Sequence, residues 1–185
     1  MYDEPKSMSL KVLGISNGFR SLWEQHATWT RIVIQALVFN TPDREYSIKR
    51  LLRNPKDFAK LLRIFYGDAI ANQFNVLLTE HLTLAADLVN ALLAGNKEKA
   101  SQVETAWYQN AENIARFLNS INQFFNFEEL KQTMYEHLGL VKTEALQLIE
   151  GKYEESINTY DKMEIQILEM ADMMTAGILS QFNIY

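Results

Sequence analysis

The sequence predicts an all-α protein: an up-down helical bundle of five long helices and one short one, in a single domain over residues 1–185. Three observations predict it. Apolar residues recur at three- and four-residue steps along nearly the whole chain, the period of a helix with one buried face. No run alternates between apolar and polar residues as a half-buried strand does. With 7 Gly and 3 Pro in 185 residues, the chain has too few turn-formers for a many-stranded sandwich or barrel.

The elements follow in order. From about 10 to 39, Phe19, Leu22, His26, Trp29, Val33 and Leu37 form one stripe. Asn40-Thr41-Pro42-Asp43 ends that helix, because proline cannot continue it. A short amphipathic helix from about 55 to 67 carries Phe58, Leu61, Leu62 and Phe65, with Asn54 expected as N-cap and Pro55 at the first helical position. From about 70 to 94 the stripe is Phe74, Leu77, His81, Leu84, Leu88 and Leu92, closed by Gly95-Asn96 as a left-handed C-cap. From about 98 to 120 it is Val103, Trp107, Asn110, Ile114 and Phe117, with the turn at 119–126. From about 127 to 149 it is Leu130, Met134, His137, Val141, Glu144 and Leu148, closed by Gly151-Lys152. The last helix, about 153 to 182, presents Ile157, Asp161, Glu164, Leu168, Asp172, Thr175 and Ile178. Tight connections make consecutive helices antiparallel neighbours. A weak repeat runs through the pattern: 80–95 matches 136–151 at six of sixteen positions.

Composition narrows the function classes. At 48% hydrophobic and 22% charged the chain is ordinary for a globular protein and excludes a disordered one. A net charge of −5 disfavours nucleic acid as a partner. The absence of Cys excludes disulfides, thiolate metal sites and a Cys nucleophile. The longest apolar stretch, 32–39 with Gln35 within it, is far short of a membrane helix, and Met1–Lys6 lacks an apolar signal region, so a cytoplasmic protein without a membrane partner is expected. There is no glycine-rich phosphate loop for a nucleotide, no Gly-x-Ser-x-Gly elbow and no His-Glu-x-x-His. The basic stretch 43–63 is expected to be a solvated helix face, with Arg50 and Arg53 near enough to the histidine level to neutralise an oxyanion. Met163, Met170, Met173 and Met174 suit core filling or a homodimer face equally.

Histidine is the informative residue. His26, His81 and His137 are the whole supply. Each lies on an apolar stripe, and all three stand the same number of positions before their helix ends, at Asn40, Gly95 and Gly151. Each therefore sits roughly 21 Å from its turn, so three parallel helices would set the imidazoles at one level. Counting back from the turns places Asn110 and Glu164 near that level too, with Asp161 one helical turn away and Glu80 and Glu136 beside their histidines. Buried polar groups are costly unless paired. Two arrangements answer that cost. One is a mononuclear metal site on His26, His81, His137 and Glu164, a donor set suited to Zn, Fe, Mn, Ni or Cu. The other is a hydrogen-bond network in a non-enzymatic structural or interaction bundle. The paired Glu-x-x-His pattern of di-iron bundles is absent. No reaction or substrate is identified by these residues.

Leu22-Trp23-Glu24-Gln25-His26 with Trp29-Thr30-Arg31, the run Arg50–Phe58, Thr79-Glu80-His81-Leu82, Trp107-Tyr108 with Asn110-Ala111, Glu136-His137-Leu138, and Met170-Ala171-Asp172 with Thr175 resemble a family of small, uncharacterised bacterial helical proteins. The likeness spans nearly the whole chain and implies a helical fold. Some members of that family bear the label acetylglutamate kinase, an activity that needs a glycine-rich α/β sandwich at odds with seven scattered glycines. A weaker likeness to hemerythrin-like and ferritin-like bundles implies metal binding in a bundle core.

Overall fold

A computed structural model describes residues 9–185, and the expectation for Met1–Lys6 lies outside them. The described residues form six helices and no strand: α1 (Leu10–Val38), α2 (Arg44–Leu51), α3 (Asn54–Leu93), α4 (Lys97–Ile121), α5 (Phe127–Ile149) and α6 (Tyr153–Gln181). The all-α bundle expected from periodicity is the observed architecture.

α3 is two helical limbs, 54–66 and 68–93, joined at Gly67 with φ 76° and ψ −180°. In a straight helix Phe58 and Phe74 would be about 24 Å apart. Their ring centroids are 5.9 Å apart, so the chain folds back on itself at Gly67. The expected short helix and its long successor are therefore separate segments, and the short α2 is an addition to the sequence-based reading. Asn54 is a correction as well. Arg53 occupies the N-cap position, and the Asn54 side chain is fully buried and turned into the core.

Six segments close into a ring of alternating direction. α1 meets limb 54–66 at Trp23 and Phe58, which in turn meets limb 68–93 through Phe58 and Phe74. Limb 68–93 packs on α4, and α4 packs on α5 through Tyr108 against Tyr135, 4.8 Å between centroids, and the Lys142–Glu104 ion pair. α5 packs on α6, and α6 returns to α1 through Tyr160 with Thr28 and Asp172 with Arg20. The ring is thus three helical hairpins, with α1, limb 68–93 and α5 parallel to one another.

Their upper ends share one cap. Asn40, Gly95 and Gly151 all have positive φ, at 49°, 66° and 74°. The residue after each donates its backbone N–H to a carbonyl five residues back: Thr41 to Ala36, Asn96 to Ala91 and Lys152 to Gln147. This is the Schellman arrangement, and asparagine tolerates the left-handed position that glycine occupies in the other two hairpins. Only the first hairpin carries an insertion at this end, the segment holding α2. Leu51 of α2 packs on Val33 and Leu82 as a small satellite core.

The main core draws on every long helix, with Phe19, Phe58, Phe74, Trp107, Leu138 and Ile178 almost wholly buried. Met163, Met170 and Met174 are core residues, with Met173 packed against them. The basic stretch is solvated, as expected, and Asp57 pairs with both Arg53 and Lys60. One range, Arg44–Leu93, contains an 18-residue window long and apolar enough to cross a membrane by composition, with mean hydropathy 1.4 and 39% of it buried in the bundle.

Gly67 has a backbone conformation that is essentially glycine-only, and a Cβ there would meet nothing within 4 Å. Gly67→Ala should lower stability by about 1–3 kcal/mol through backbone strain alone. Denaturant unfolding followed by circular dichroism measures it, and an unchanged midpoint would show that the reversal tolerates an L-residue.

Candidate metal centre

The three histidines converge at mid-height of the ring. All are 1–2% exposed, and their ring centroids lie 5.5, 6.3 and 6.5 Å apart. One ring nitrogen from each lies within 4.8 Å of the other two. The equal distances to the caps have their expected consequence because the three helices are parallel and end in the same way.

Each imidazole is held by the same device. His26 Nδ1 pairs with Asn54 Oδ1 at 3.1 Å, and Asn54 Nδ2 donates to the Leu22 carbonyl at 2.9 Å. His81 Nδ1 pairs with Asn110 Oδ1 at 3.0 Å, and Asn110 Nδ2 donates to the Leu77 carbonyl at 3.1 Å. His137 Nδ1 pairs with Gln166 Oε1 at 3.2 Å, and Gln166 Nε2 donates to the Thr133 carbonyl at 3.0 Å. In every case the carbonyl belongs to the residue four positions before the histidine, and the amide comes from the antiparallel helix of the same hairpin.

The chemistry of this relay sets the tautomer. A carbonyl only accepts, so the amide must turn its NH2 group toward the backbone and its oxygen toward the ring. An amide oxygen also only accepts, so Nδ1 must carry the ring proton. Nε2 is left in each ring as a lone-pair donor, and it makes no hydrogen bond among the described residues. The three buried rings form a cluster that contains no carboxylate.

The structure brings together His26, His81, His137 and Asn110. It does not bring Glu164 to them. Glu164 is half-buried and outside the cluster, and Gln166, two residues on and about 200° round the helix, takes the inward position. Asp161 and Glu136 are exposed. Glu80 is exposed too, but accepts a second bond from Asn110 Nδ2 at 2.9 Å. Arg50 lies over Trp29, 4.8 Å to the ring centroid, and donates to Gln25, while Arg53 is exposed beside Asp57. Neither arginine hydrogen-bonds a layer histidine. Sequence reasoning missed Asn54 and Gln166. The spacing signal was present, since the three amides follow their histidines at separations of 28, 29 and 29.

Burial favours the uncharged rings. It holds His26 down at about 4, and holds His81 at about 3 with help from repulsion by His26. His137 is held well below the ordinary range, first by burial and then by His26 and His81, while Gln166 opposes the shift. Two helical turns above His137, Glu144 is fully buried against Arg31, and burial raises its carboxyl to about 7 despite that cation. No protein-family model, curated protein or solved structure matches this chain.

The depressed histidines contribute stability that is present above pH 6.5 and is lost as pH falls toward 4 and 3. The amount is on the order of 3 kcal/mol for His26 and 5 kcal/mol for His81. Glu144 acts with the opposite sign: its contribution is present below 4.5 and is lost as pH rises through about 7. Metal-free protein should therefore be most stable near neutrality and lose stability steeply below pH 6. Urea unfolding between pH 7.5 and 4 measures this, and His137→Leu should flatten the acid limb. An equally steep limb in that variant would show that other groups drive acid unfolding.

Proposed function

We propose that the protein is a metal-binding helical bundle whose mononuclear centre is formed by Nε2 of His26, His81 and His137. The observation that supports this most strongly is the threefold relay, which fixes each ring as the Nδ1–H tautomer with an unpartnered Nε2. A metal-ligating histidine characteristically donates its other N–H to an oxygen acceptor, which orients the ring and raises its basicity. Here amide oxygens take that part. The hydrogen-bond network satisfies only one nitrogen of each ring, and among the described residues no hydrogen bond joins two of the rings.

The fit to an ion is close. Nitrogens within 4.8 Å of one another lie at most about 2.8 Å from the centre of their triangle, so movements of no more than about 0.7 Å each reach the 2.0–2.1 Å bonds of zinc. Three neutral imidazoles with no carboxylate suit Zn, Cu, Fe or Ni, and Mn loses its favoured oxygen ligand once Glu164 is outside the set. With three protein ligands, the centre keeps one position open for Lewis-acid chemistry or a bound water of lowered pKa. We read the protein as cytoplasmic, with the apolar face of limb 68–93 directed into the bundle.

Protein purified without a nickel column, stripped with chelator and titrated with Zn²⁺ should bind one ion per chain. Its melting temperature should rise with free metal, as mass action requires of a ligand that binds only the folded state. Because the rings are already neutral, affinity should be nearly constant from pH 8 to about 5, unlike sites whose ligands must first lose protons. His81→Gln should abolish binding. Zn²⁺ uptake below one ion per chain, or binding that survives in this variant, would overturn the assignment.

A further inference from the structure

We infer that the open position of this centre faces upward, toward the Asn40, Gly95 and Gly151 caps, and takes a small exogenous ligand of the size of water or azide in a cavity beside Thr30. This rests on the reading of the layer as a metal centre. The residues one helical turn above the three histidines are Thr30, Ala85 and Val141, and all three line one cavity of about 20 Å³ together with Val33, Leu82 and Val89. That is room for one small molecule. On the lower side Trp23, Leu78 and Met134, three positions before the histidines, line a second cavity of the same volume, so volume does not separate the two sides. The lower cavity presents only apolar atoms, whereas Thr30 lines the upper one.

Thr30 provides the second, independent observation. Its side-chain oxygen is buried and has no hydrogen-bond partner, and the residue is 5% exposed. A threonine inside a helix ordinarily gives its hydroxyl to the carbonyl four residues back. Thr79, Thr83, Thr105, Thr133, Thr143 and Thr175 all do so in this chain. For Thr30 that carbonyl belongs to His26, and the bond is not made. Leaving a buried hydroxyl unpaired costs about 1–3 kcal/mol. A polar ligand in the cavity restores the missing partner, and a ligand on the metal would sit one turn below that hydroxyl.

The departure from threefold symmetry coincides with this place. Of the three hairpins only the first has an insertion at its upper end, and Leu51 of the inserted α2 completes the cavity wall. α2 is held by a satellite core of Leu51 with Val33 and Leu82 rather than by the main one.

The test uses the full chain loaded with one Co²⁺, followed by visible absorption during titration with sodium azide. The wild-type spectrum should be that of a low-coordinate centre and should change saturably with azide. Thr30→Val, which keeps the side-chain shape, should retain the cobalt and weaken azide about ten-fold, the worth of one hydrogen bond. Ala85→Leu, which fills the cavity, should retain the cobalt and abolish the azide response. Bound cobalt that ignores azide, or a Thr30→Val protein that titrates like wild type, overturns the inference and leaves the metal centre standing. Failure of the wild-type chain to take up cobalt overturns the metal centre itself. If Ala85→Leu does not fold, the Thr30→Val titration decides.

Discussion

The hydrogen bond from each imidazole Nδ1–H to a side-chain amide is the constraint around which the rest of the bundle is organised. It does three things at once. It satisfies the buried ring donor, it locks the ring plane, and it ties the two helices of a hairpin together at mid-height. The amide can do this only because its NH2 end reaches a helical carbonyl one turn before the histidine, a carbonyl that still has a second lone pair. Every polar atom of the device is thus provided for except Nε2. That asymmetry, repeated three times, is the observation on which the proposed metal centre rests.

The rest of the fold keeps the three relays in register. Identical Schellman caps set the depth of each histidine on its helix. Gly67, Gly95 and Gly151 allow the chain to reverse where side-chain-bearing residues would be strained. Cavities of equal size lie below and above the layer, the lower one wholly apolar and the upper one lined in part by Thr30. Glu144 and Arg31 form a second buried polar group at the upper end, too far along α5 to join the layer and opposite to it in pH response. Burial pushes the histidines and Glu144 in opposite directions, both toward the uncharged form.

Threefold repetition of structure here is much clearer than repetition of sequence. Across all three hairpins the identities narrow to the histidine and one leucine, Leu37 aligning with Leu92 and Leu148, together with the matching depth of Asn40. Few positions must be kept for the geometry to persist. They are a histidine, an inward amide at a separation of 28 or 29, and a left-handed cap at a fixed distance beyond the histidine. The remaining helix positions need only be apolar inward and polar outward. The first hairpin, which departs most in sequence, is also the one that carries α2 and Thr30.

Helix periodicity, caps and the common depth of the histidines were legible in the sequence, because each is a local property set by a few neighbouring residues. Depth along a helix accumulates error slowly, at about 1.5 Å per residue. Azimuth does not: one residue is a rotation of about 100°, so an uncertainty of one or two positions in a turn decides which side chain points inward. For that reason depth counting found Asn110 but chose Glu164 over Gln166, and it read Asn54 as a cap when its side chain is the partner of His26. The placement of α2 over the first hairpin was likewise a matter of packing, invisible to a local pattern. The sequence by itself determined an all-helical bundle with three histidines at one height. Only the tertiary structure decided that the helices close into a ring, which amides hold the histidines and that no carboxylate joins them, because those facts depend on the relative rotation of helices distant along the chain.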